Sequence, residues 1–172
     1  GNYAYNSESI LEIYTKQGVG LYSLQRGELI PPIYDYFEED YDFMYDIYGN
    51  LRVRKGKNIG YYSLKSKTET IPPIYKEIDH GTNFEWNSDS LIVKNAKNKY
   101  GILNKFGKVV LPVEYDEIDY YFGEYAMLAG IYTLFEIRKS KQVGIYAPNL
   151  NKWVVPCNYS EIIDYKNFEN GE

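Results

Sequence analysis

The chain has 172 residues, 44% of them apolar, with a formal net charge of −5 and a single cysteine. That is the size of one ordinary domain with enough apolar content for a core, and one cysteine excludes an intramolecular disulfide framework. Mild acidity argues against sequence-independent nucleic-acid binding, which depends on neutralising phosphates. No apolar run approaches the roughly 20 residues of a spanning helix, so no membrane insertion by this segment is expected.

Four segments of similar pattern follow one another. The first holds a strand-like Leu11-Glu12-Ile13, then Val19-Gly20, then Ile30-Pro31-Pro32-Ile33-Tyr34, with Phe37 three places on. The second repeats it as Leu51-Arg52-Val53, Ile59-Gly60, Ile71-Pro72-Pro73-Ile74-Tyr75 and Ile78. In the third come Leu91-Ile92-Val93, Tyr100-Gly101, Leu111-Pro112-Val113-Glu114-Tyr115 and Ile118. The fourth reads Phe135-Glu136-Ile137, Val143-Gly144, Val155-Pro156-Cys157-Asn158-Tyr159 and Ile162. Taking Pro31, Pro72, Pro112 and Pro156 as markers, the period is about 40 residues, that of a tandem repeat.

The expected fold is all-β: a single repeat domain over 1–172 with units 10–49, 50–89, 90–133 and 134–172. Each unit reads as a three-stranded antiparallel meander. In the second, the strands are Leu51 to Arg54, Ile59 to Leu64 and Thr68 to Ile71, and the prolines are expected to stop the last, because proline cannot donate to a ladder. With each meander completed by its own strands, an open β-superhelix is favoured over a four-bladed propeller. The stretches after each tyrosine are expected to carry a short fourth strand or an ordered loop. Tyr34, Tyr75, Tyr115 and Tyr159 are expected to point inward and dock those stretches.

These residues resemble the WG-repeat proteins of bacteria, whose unit runs from an aliphatic strand through Trp-Gly, a Gly-Lys turn and Ile-Pro-Pro to a tyrosine beside an acid. The likeness is carried by Gly20-Leu21-Tyr22, Gly60-Tyr61-Tyr62, Gly101-Ile102-Leu103 with Gly107-Lys108, and Gly144-Ile145-Tyr146. The signature tryptophan is replaced by Val19, Ile59, Tyr100 and Val143. What the resemblance implies is a β-repeat interaction module in a bacterial protein. The expected location leans extracytoplasmic, with any leader outside this sequence.

Twenty-one tyrosines, seven phenylalanines and two tryptophans exceed what this core needs, which places some rings at a surface. The candidate binding residues are Tyr36, Tyr41, Tyr45, Tyr48, Tyr120, Tyr121 and Tyr125 with Trp86. They fit a protein partner, or alternatively a glycan stacked on their faces. Basic residues gather at the first turn of each unit and acids after each tyrosine, which predicts two separate charged stripes. No spacing for calcium or zinc ligands and no cofactor motif is present. His80 has no partner placed by sequence, and Cys157 aligns with Pro32, Pro73 and Val113 as a packing position. A noncatalytic role is expected, a glycoside hydrolase being the least favoured reading.

Overall fold

A computed structural model describes residues 9–38, 50–79, 90–121 and 134–163. They form fifteen strands and one 3-10 turn, Pro148–Leu150, arranged in four antiparallel sheets. The first sheet contains β1 (Ile10–Thr15), β2 (Gly18–Ser23) and β3 (Gly27–Tyr34). The second is β4 (Tyr36–Phe37), β5 (Asn50–Lys55), β6 (Asn58–Ser63) and β7 (Thr68–Tyr75). The third, β8 (Glu77–Asp79), β9 (Ser90–Lys94), β10 (Tyr100–Asn104) and β11 (Val109–Tyr115), has the same order. So has the fourth, β12 (Glu117–Tyr120), β13 (Phe135–Lys139), β14 (Gln142–Ala147) and β15 (Lys152–Tyr159). None of these sheets closes on itself, and the all-β tandem architecture read from the sequence is the one the chain adopts.

Two expectations are corrected. The third strand does not stop at the prolines: β7 continues through Pro72 and Pro73 to Tyr75. Across it, Ile59 faces Tyr75 and Tyr61 faces Ile71, so three residues of β7, Pro72, Pro73 and Ile74, bulge over the single Gly60 of β6. The missing proline N–H falls where the ladder is already broken, which removes the usual objection to proline inside a sheet. The same displacement recurs between Val19–Leu21 and Ile30–Tyr34, and in the third and fourth sheets.

The second correction concerns which strands complete a sheet. Among the described residues a short strand follows Tyr34, Tyr75 and Tyr115 but not Tyr159, and each crosses to the next sheet and pairs with that sheet's first long strand. Phe37 lies opposite Val53, Ile78 opposite Val93, and Ile118 opposite Ile137. Meanders are therefore not completed locally; three of them borrow an outer strand from the preceding segment.

The chain divides into two compact units, Gly1–Lys76 and Glu77–Glu172. Within the first, Leu29, Ile30 and Tyr34 of the first sheet bury against Leu51, Val53, Tyr62 and Leu64 of the second. Within the second, Leu111 and Tyr115 pack with Phe135, Ile137 and Tyr146 in the same way. Strand alternation supplies these rows, since successive side chains point to opposite faces.

Candidate interaction surface

The segments just after Tyr34 and Tyr115 are fixed by the aspartates that open them. Asp35 Oδ2 accepts the Gly56 N–H at 2.5 Å, and Asp116 Oδ2 accepts the Ser140 N–H at 2.5 Å. Gly56 and Ser140 hold equivalent turn positions with φ of 62° and 59°, a conformation that needs such a local hydrogen bond or a missing side chain. The bond from Lys99 Nζ and the Ser140 amide hold the Asp116 carboxyl below its ordinary value.

Among the described residues, basic and acidic side chains pair with one another and do not separate into two stripes. The strand transfer brings the acids after one tyrosine onto the basic first turn of the next sheet. Arg52 and Arg54 both bond Glu38, Lys94 meets Glu77 at 3.0 Å, and Arg138 lies 3.5 Å from Glu117. Lys139 adds a 2.6 Å bond to Glu114. Ion pairs within reach of solvent contribute little net stability, so these specify register more than they stabilise it.

Of the candidate aromatics, Tyr41, Tyr45, Tyr48, Trp86 and Tyr125 lie outside the described residues, as does His80. Tyr36 sits half exposed on β4 with the Arg54 guanidinium over its ring at 5.9 Å. Tyr120 is drawn into the packing: it faces Phe135 across the strands with ring centroids 4.8 Å apart, and burial pushes its hydroxyl up to about 12. Tyr121 packs against Leu134, Ile145 and Ala147. The two are thus joined to the packing of the second unit. An open cleft of about 270 Å³ is lined by Glu77, Asp79, Glu117 and Asp119 with Lys94, but Glu77 and Glu117 are already engaged by cations.

The repeated tyrosines divide. Tyr34, Tyr75 and Tyr115 are buried, as expected, whereas Tyr159 is half exposed. Tyr34 donates to Glu69 Oε1 at 2.7 Å and meets the Tyr62 ring edge-on at 6.1 Å, both in the following sheet. Tyr115 packs on Trp153 of its following sheet, centroids 6.2 Å apart. Among the described residues no sheet follows β15. Cys157 is a half-buried side chain of β15, its thiol pushed up mainly by burial, which suits packing and not nucleophilic attack.

What sequence reasoning missed is an apolar row on the first sheet: Leu11, Tyr22 and Leu24 are exposed, though their equivalents Leu51, Tyr62 and Leu64 are core. A leucine in the tight turn 24–26 was the available signal, since turns otherwise take polar residues.

Neither a curated protein nor a solved structure shows a match to this chain. Residues 100–127, which contain Tyr100-Gly101, the Gly107-Lys108 turn and Pro112 through Tyr115, match the family model described as the WG containing repeat.

Proposed function

We propose that this chain is a noncatalytic protein-interaction scaffold whose partner covers the outer face of the first sheet and adds a strand to β1. The observation that supports this reading is the exposure of Leu11, Tyr22 and Leu24 on a face whose counterpart in the second sheet is buried. The first sheet has three strands among the described residues where the others have four. Recognition by strand addition uses main-chain bonds for affinity and alternate side-chain pockets for specificity.

A glycan reading needs open ring faces. Tyr36 has a guanidinium over one, and Tyr120 and Tyr121 belong to the packing.

The test is titration of the chain with a synthetic peptide of residues 154–163 carrying Cys157→Ser, followed by amide exchange. The expected result is slowed exchange at the Tyr14 amide, since Tyr14 is the register equivalent of Arg54, which pairs with Tyr36 of the added strand in the second sheet. Unchanged exchange, together with glycan binding abolished by Tyr41→Ala or Trp86→Ala, would replace this reading.

A further inference from the structure

We infer that the partner is a second copy of this chain, docked head to tail, with the outer face of its fourth sheet and its Ser160–Ile163 segment set before the first sheet. The inference rests on the interaction-scaffold reading above.

The molecule contains this junction twice already. In each compact unit, the third strand and tyrosine of one sheet bury against the first two strands of the next. Residues that match the two halves of one more such junction stand exposed, one half on the first sheet and the other on the fourth. On the first sheet, Leu11, Tyr22 and Leu24 are 48%, 40% and 63% exposed, where Leu51, Tyr62 and Leu64 are 8% or less. On the fourth, Val154 and Tyr159 are 44% and 50% exposed, where their equivalents Leu29 and Tyr34 are 1% and 0%. Single exposed apolar residues need no explanation, but two rows that match the two halves of a packed junction in type and register do.

The strand addition matches as well. Ile162 stands three residues after its tyrosine, as do Phe37, Ile78 and Ile118, which lie opposite Val53, Val93 and Ile137. The position equivalent to those three partners in β1 is Ile13. A second copy therefore carries, on one end, the complement of what the other end displays.

The charged part of the internal junctions is not reproduced. Ser160 replaces Asp35 and Asp116 opposite the turn, and Glu161 would face Tyr14 where Glu77 and Glu117 meet Lys94 and Arg138. The contact is accordingly apolar, weaker than the internal junctions, and insensitive to moderate salt. Because the two surfaces differ, the association is heterologous and continues beyond a dimer or closes into a ring.

Sedimentation velocity from low micromolar to near-millimolar concentration tests this, with wild type, Leu24→Asp and Tyr159→Asp. Wild type is expected to grow past the dimer with concentration, and each variant to associate about tenfold or more weakly. Mixing the two variants is expected to restore association but to stop it at the dimer, since each retains one intact face. A wild type monomeric throughout, or variants that oligomerise as wild type does, would overturn the inference. If the monomeric chain still binds the 154–163 peptide at β1, the scaffold reading survives with a different partner. If it binds neither, both fail.

Discussion

A Cβ placed on Gly60 would stand 2.5 Å from the Ile71 carbonyl oxygen and 2.7 Å from the Pro73 nitrogen. The bulge that carries the two prolines lies directly on the glycine of the facing strand, so the Gly and Pro-Pro elements of the repeat are two sides of one contact. Gly20 meets Ile30 and Pro32 at the same distances. The obstructing atoms are backbone, which cannot swing aside. Gly60→Ala is expected to destabilise by about 3 kcal/mol, the upper range for overpacking; chemical denaturation measures it, and a loss below about 1 kcal/mol would mean the bulge yields.

Tyrosines of the same motif should differ in cost. Tyr75 is buried and Tyr159 half exposed. Tyr75→Ala should cost about 3 to 5 kcal/mol, as for other core aromatics. Tyr159→Ala, measured on dilute chain, should cost less than about 1 kcal/mol. Equal losses at the two sites would contradict the difference in their burial.

Acid should act through the Asp116 bonds. Its carboxyl is held below the ordinary value of 3.8 by Lys99 and the Ser140 amide. A depressed folded value contributes stability above the unfolded one and loses it as pH falls through the folded one. Thermal midpoints should thus be flat from neutrality to about pH 5 and then decline. Asp116→Asn should make that decline shallower; an unaltered acid limb would remove Asp116 from the account.

Base should act in the opposite sense. Burial raises Tyr120 from 10.0 to about 12, and raises Tyr34 still further with help from Glu69. A raised value leaves stability intact below the unfolded pKa and draws it down as pH climbs toward the folded one. Tyrosinate absorbance should therefore show a late step that coincides with loss of the β-sheet circular dichroism signal. Complete titration ahead of unfolding would contradict the buried placement of these rings.

The sheets themselves were legible, because alternating apolar residues between turn-forming ones announce meanders. Three features were not. Proline reads as the end of a strand unless the ladder is known to be broken at that point, so the bulge over Gly60 stayed hidden. A strand as short as Tyr36–Phe37 carries too little pattern to say which sheet it joins. Burial of Tyr34 against Tyr62 depends on a neighbouring sheet, so the same motif at Tyr159 gave no sign of its exposure. Candidate aromatics suffered similarly: Tyr120 shares the face of Ile118 in β12, yet only pairing with β13 showed Phe135 opposite it.

Continuation of the internal junction between chains is most directly tested by one cross-link. In the second sheet the Phe37–Val53 pair is flanked by the Glu38 amide bond to the Arg52 carbonyl. This makes it a non-hydrogen-bonded pair, whose close Cα approach suits a disulfide. Its equivalent between copies is Ile162 with Ile13. Carrying Ile13→Cys and Ile162→Cys in a Cys157→Ser background, the chain should give, on mild oxidation and a non-reducing gel, a ladder of covalent multimers that fades on dilution. Only monomer, whether uncross-linked or internally cross-linked at every concentration, would contradict head-to-tail assembly.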